Sequence, residues 1–230
     1  MPDWNYRPIF KPFLNLLPPT RAQRWVLRGV QALGSNPIGR KSINLMGHMQ
    51  PPDELAFYIG DTRFLSRVFL GLEIDPEGLG QKAFAKFGFG ALEMDFAVAC
   101  KSIAKNDLLI PIIPILETSD LDTPEFLKMV IQTKCFRLAD SVTQHLLALA
   151  HDERIQFFLK LQKWTLTHRL EFIFTVPGAE SKDHAIQLLP LLKKYNFHWI
   201  QVLAPNSQEA TVDLIKDFNE LNFFALKMKS

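Results

Sequence analysis

Two short stretches hold the residues best placed for chemistry. Asp75-Pro76-Glu77-Gly78 puts two carboxylates in a turn directly after an apolar run. By composition it is a turn, and in a strand–helix barrel it would lie on the strand-end face where active sites are built. Phe87-Gly88-Phe89-Gly90 leads directly into the next apolar run, and glycine there permits a tight helix-to-strand turn. Several strong motifs are missing: there is no P-loop, no HExxH and no G-x-G-x-x-G. The six histidines (His48, His145, His151, His168, His184, His198) show no metal spacing backed by carboxylates, so no metal is expected. His145 and His151 flank one helical segment but lie six apart, on different helix faces. Cys100 and Cys135 stand alone, without CxxC spacing. Two isolated thiols fit a reducing cytoplasm.

The elements that must position these residues alternate in type. Apolar runs predict strands at 68–74, 91–98, 108–116, 135–139, 172–176, 199–203 and 223–228. Helical patterns fall between them, at 79–87, 124–132, 142–167, 182–195 and 207–221. Such alternation predicts a parallel sheet with helices packed outside. Continuously apolar strands such as LLIPIIPIL suit a sheet buried on both faces. Seven strands in series point to a (β/α) barrel or a doubly wound sheet. A complete eight-unit barrel takes about 250 residues, and about 170 follow residue 60. The expectation is an α/β protein with an incomplete TIM-like (β/α) barrel of about seven strands and an N-terminal helical extension. The extension spans 1–50 and the barrel 51–230.

The extension differs in charge from the rest. Its first 50 residues hold seven basic side chains (Arg7, Lys11, Arg21, Arg24, Arg28, Arg40, Lys41) and one acid, Asp3, a net of +6. The other 180 residues carry −4, giving the whole chain its +2. A basic head on a mildly acidic body can meet a negative surface. Pro18, Pro19 and Thr20 form a boundary able to start a helix. From there Ala22, Trp25, Val26, Gly29, Val30 and Leu33 follow one apolar face, with Arg21, Arg24 and Arg28 on the other. Such a helix can lie in a bilayer interface or pack on its own body. The residues assigned to membrane contact are Trp4, Tyr6, Arg7, Phe10, Lys11, Phe13, Leu14, Arg21, Arg24, Trp25 and Arg28. The longest apolar run, 108–116, is nine residues with two prolines. A spanning helix needs about 20, so none is expected. Nor is a secretory leader, since MPDWNYRPIF lacks a basic start followed by an apolar core. With 47% apolar and 22% charged residues the chain has ordinary globular composition, which excludes wholesale disorder and a disulfide scaffold. No nucleic-acid partner is expected.

Four segments carry a family resemblance. YRPIFKPFLNLLPPTRAQRWVLRGVQALG resembles the N-terminal helical extension of the membrane-associated, quinone-dependent (class 2) dihydroorotate dehydrogenases. VFLGLEIDPEG and AFAKFGFGALEMDFAV are similar to the first- and second-strand motifs of that family's flavin-binding barrel. FIFTVPGAESKDHAIQLLPLLKKYNFHWIQVL has the outline of its fifth strand, helix and sixth strand. The resemblance implies a TIM barrel, FMN, oxidation of dihydroorotate in pyrimidine biosynthesis, and quinone reached through the extension. Residue by residue it retains Asp75 and Gly78, with the Gly88-Phe89-Gly90 turn, as the FMN-side positions.

The same alignment shows departures. Glu73 stands where the family has the glycine of close flavin approach, Pro76 where it has lysine, and Asp95 and Phe96 where it has the Gly-Thr flavin contact. The substrate motif is deleted between Cys100 and Leu108, and the nearest counterpart of the catalytic serine is Ser141. Phe174 replaces a flavin-side lysine, and Leu203 and Ala204 fall at the Thr-Asn pair. The chain stops near the seventh strand, ahead of the Gly-rich phosphate loops. The reading that follows is a divergent, shortened, dihydroorotate dehydrogenase-like pseudoenzyme. In it FMN binding and catalysis are lost, no catalytic residue is assigned and no cofactor is expected. It would serve as a binding, regulatory or structural subunit, docked at the inner face of the cell membrane by its basic head. A protein partner or second copy would cover the open barrel edge. The alternative is an active FMN-dependent oxidoreductase acting on dihydroorotate or a related small substrate, with quinone as acceptor.

Overall fold

The structure is a computed structural model that describes residues 17–45, 53–66, 68–103, 110–176, 181–197, 199–203 and 223–227. Helix α1 (Pro19–Ser35) starts at the proline boundary, with proline in its first turn. Helix α2 (Pro37–Leu45) follows after Asn36, whose side chain accepts from Ile38 N at 2.9 Å. A hairpin comes next, β1 (Phe57–Ile59) and β2 (Thr62–Phe64), joined by Gly60-Asp61. Gly60 takes φ 54°, the positive value that a two-residue hairpin loop requires of its first residue.

The remaining strands are β3 (Phe69–Leu70), β4 (Ala91–Asp95), β5 (Ile112–Leu116), β6 (Cys135–Leu138), β7 (Glu171–Val176), β8 (Trp199–Leu203) and β9 (Phe223–Lys227). They form one seven-stranded sheet in sequential order, and the pairings β3·β4 and β5·β6 through β8·β9 are parallel. Helices fill the crossovers: α3 (Gln81–Phe84), α4 (Phe96–Ile103), α5 (Pro124–Gln132), α6 (Asp140–Ala148), α7 (His151–His168) and α8 (Ser181–Lys194). A doubly wound sheet reverses its strand order at a switch point. Sequential order without reversal is that of a (β/α) barrel, so the fold class is an incomplete TIM-like barrel.

Each of the seven expected strands is present, but several boundaries moved. The run 91–98 is not all strand. Asp95 ends β4, and its Oδ1 accepts from Ala97 N at 2.9 Å and Val98 N at 3.3 Å, capping α4. The expected helix 142–167 is two helices, because Leu149 and Ala150 are extended. Arg154 Nη2 donates to Leu147 O and Leu149 O, both at 3.0 Å, and so holds that joint. The expected strand 68–74 shrinks to two residues and the helix 79–87 to four. The helix expected at 207–221 lies outside the described residues.

The chain divides into two compact units, Met1–Tyr58 with Arg63–Ile112, and Ile59–Thr62 with Ile113–Ser230. In the first, α1 packs on α2 and α3. The approach is close at Gly34, where a Cβ would meet Ala83 N at 2.5 Å. In the second, one sheet face is aromatic and covered by helices. Phe126 of α5 meets Phe136 at 5.4 Å, and Phe158 of α7 stacks on Phe174 at 5.5 Å and on Tyr195 at 5.6 Å. Each such pair adds about 0.5–1.5 kcal/mol beyond area burial.

Candidate functional site

In the first unit the loop after β3 holds Asp75, which is only 3% exposed. Its two carboxylate oxygens accept from Leu79 N at 2.8 Å and Gly80 N at 2.7 Å. Its own carbonyl accepts from Gly78 N at 3.0 Å. Burial pushes the Asp75 carboxyl above the ordinary carboxylate value, with the Glu77 charge adding and the Gly80, Leu79 and Gly78 amides opposing. Gly78 has φ 65°, and a Cβ there would lie 2.7 Å from Met94 Cε. The backbone angle favours glycine there, whereas the side-chain ends of Met94 and Gln81 could move aside.

Other groups close on the same loop. Glu73 Oε2 lies 2.9 Å from where a Cβ on Gly71 would stand. Gln23 of α1 donates through Nε2 to Glu73 O at 2.7 Å and Ile74 O at 3.0 Å. Arg24 pairs with Glu77 at 2.6 Å, with both side chains about half exposed. Gly88, at φ 86°, presents its carbonyl to Ser66 Oγ at 2.7 Å. Gly90 N donates to Val68 O at 2.8 Å, and a Cβ on Gly90 would fall 1.9 Å from Ser66 O. The four cofactor-side positions taken from the sequence thus lie on the loop after β3 (Asp75, Gly78) and at the entry to β4 (Gly88, Gly90). All four are engaged in local turns and close packing.

A second polar cluster stands in the other unit. The face of β6–β8 opposite the aromatic one carries Arg137, Thr175 and Gln201, all buried. Arg137 Nε donates to Thr175 Oγ1 at 2.7 Å, and Thr175 Oγ1 donates to Gln201 Oε1 at 3.2 Å. Arg137 Nη2 meets Asp140 Oδ1 at 2.6 Å, with the arginine side chain 4% exposed and the aspartate 39%. Ser141 Oγ donates to Glu117 Oε2 at 2.5 Å. Glu117 follows β5, and Asp140 and Ser141 open α6 after β6. These groups therefore gather towards the carboxyl ends of β5–β8, where barrels place their sites. At the other end of this face Trp199 Nε1 donates to Glu171 Oε2 at 3.0 Å. Burial, helped by the Glu171 charge, pushes the Cys135 thiol far above its ordinary range, which disfavours the thiolate.

Sequence reasoning noticed Ser141 but missed Arg137, Thr175, Gln201 and Glu117. The available signal was period two. In CFRL, EFIFTV and WIQVL each polar residue (Arg137, Glu171, Thr175 and Gln201) stands on the alternate set of positions to Phe136, Phe172, Phe174 and Ile200. Barrel interiors are dominated by branched aliphatics, which makes a polar alternate face notable.

The expected membrane residues divide. Arg21, Arg24, Trp25 and Arg28 are exposed on α1, Trp25 by 63%, and the expected apolar face is not the buried one: Trp25, Val26 and Gly29 are exposed, Trp25 one turn from Arg21 and Arg28, while the helix buries Leu27 and Gly34. Trp4, Tyr6, Arg7, Phe10, Lys11, Phe13 and Leu14 lie outside the described residues. Among the described residues no helix is long and apolar enough to cross a membrane, and no three His, Cys, Asp or Glu side chains could hold a metal ion. No protein-family model matches this chain, and no curated protein is similar to it.

Proposed function

We propose that this chain is a divergent relative of the class 2 dihydroorotate dehydrogenases that binds no FMN and performs no dehydrogenation. Its role is that of a binding or regulatory subunit. The observation that carries this reading is the engagement of the flavin-side positions. Asp75 accepts from Leu79 and Gly80 amides. Glu73 fills the space beside Gly71. Asp95 caps α4. A flavin needs backbone approach on one side and an anion-tolerant environment for its phosphate. Three carboxylates and a closed turn supply neither, so the residues present do not fit FMN. Dehydrogenation would also need a base facing the flavin. Ser141, the nearest counterpart, donates its proton to Glu117.

Membrane docking through α1 belongs to the same proposal. Its support is Trp25, exposed beside Arg21 and Arg28 on a helix without acids. Two measurements test the reading. Purified protein should be colourless, and should remain so after incubation with excess FMN and desalting; retained flavin absorbance overturns the loss of cofactor. Sedimentation with anionic vesicles should carry the protein down, and Trp25→Ala should weaken this several-fold. No co-sedimentation removes the membrane role.

A further inference from the structure

We propose that α1 meets anionic lipid through a stripe of Arg21, Arg24, Trp25 and Arg28, and that Glu77 restrains this docking by occupying Arg24 until a headgroup anion replaces it. The inference rests on the membrane reading above and adds a device that regulates it. The spacing i, i+3, i+4, i+7 puts the four residues on one face of the helix. All four are exposed, whereas Leu27 and Gly34 of the same helix are buried. No acid stands anywhere on α1. Three guanidinium groups around an indole match an anionic headgroup layer. The cations meet phosphate or carboxylate, and the indole suits the boundary with the acyl chains.

The three arginines are not equivalent. Arg24 donates to Glu77 Oε1 through Nε at 3.0 Å and through Nη2 at 2.6 Å. Arg21 and Arg28 make no ion pair among the described residues. Glu77 belongs to the loop after β3, which α1 also grips through Gln23 on the carbonyls of Glu73 and Ile74. The paired side chains are 57% and 48% exposed. Water screens such a pair and leaves it weak, so a headgroup anion can take Arg24 from Glu77. Until it does, one cation of the stripe is neutralised and a carboxylate stands beside the docking face. Both effects weaken attraction to an anionic surface.

The experiment is co-sedimentation of the full chain with phosphatidylcholine vesicles containing phosphatidylserine, with pure phosphatidylcholine vesicles as the control. Glu77→Gln should bind the anionic vesicles several-fold more tightly than the wild type, with no comparable gain on the neutral ones. In an Arg24→Gln background the same change should bring less than half of that gain, because the cation it frees is gone. An equal gain in both backgrounds overturns the latch, since Glu77 then acts through net charge alone. Unchanged binding by Glu77→Gln, where the wild type sediments, overturns the latch and leaves the membrane reading standing. If neither protein sediments, the two fall together. Glu77→Ala carries the same expectations and decides the matter if Glu77→Gln does not fold.

Discussion

The two strand-end regions use polar side chains in opposite ways. After β3 and β4 two carboxylates bind backbone amides a few residues away: Asp75 takes Leu79 and Gly80, and Asp95 takes Ala97 and Val98. After β5 and β6 the polar groups bind one another across elements: Ser141 with Glu117, and Arg137 with Asp140 and with Thr175 of β7. Local side-chain-to-backbone bonds shape the loop that carries them. Bonds between side chains of different elements build a network whose members support one another.

The largest expected effect tests how tightly the first region is closed. Gly90→Ala would place a methyl 1.9 Å from the Ser66 carbonyl oxygen, and should cost about 3 kcal/mol or more in denaturant unfolding. A loss below about 1 kcal/mol would mean that the 66–90 corner yields. Next comes the network of the second region. Arg137→Met should cost about 2–4 kcal/mol, since it strands the buried partners of the guanidinium. Thr175→Val alone should cost about 1 kcal/mol. The double variant should fall short of additivity by at least about 0.5 kcal/mol. Full additivity would dissolve the distinction between a network and separate contacts.

Asp75→Asn should cost about 1–2 kcal/mol, because asparagine keeps one acceptor and turns an amide towards the other backbone N–H. The Asp75 carboxyl titrates above its ordinary 3.8 in the folded protein. The folded state therefore holds that proton longer, and the stabilisation it gives fades as pH rises from about 4 through the folded value. The gap between wild type and variant, followed as melting temperature, should be widest in acid and narrow towards neutrality. A gap that widens with pH would reverse the assignment of burial as the dominant cause. The smallest effect is loss of the α4 cap: Asp95→Ala should cost about 1 kcal/mol.

Strand–helix alternation was legible because burial on both faces demands continuous apolar runs, and all seven runs became strands of one sheet. The start of α1 was legible from Pro18-Pro19-Thr20, since proline suits a first helical turn. The α4 helix was not, because FAVAC reads equally as strand. Only the Asp95 side chain, bonded to Ala97 and Val98, decides it. The break at Leu149-Ala150 had no Gly or Pro to announce it. Arg154, bonded to Leu147 O of α6 and to Leu149 O just beyond it, holds the joint.

The turn chemistry at Asp75 and Gly78 was readable because turns are local, and their residue types follow from backbone angle and nearby amides. Whether Asp75 faced a ligand or its own loop was not local. That depended on the burial which the closed loop gives it. The Arg137 cluster drew its members from residues up to 64 positions apart. Composition and alternation placed each of them on a strand. Parallel register, Thr175 opposite Gln201 with Arg137 beside Ile173, brought them to one face, and no stretch of sequence contains that register.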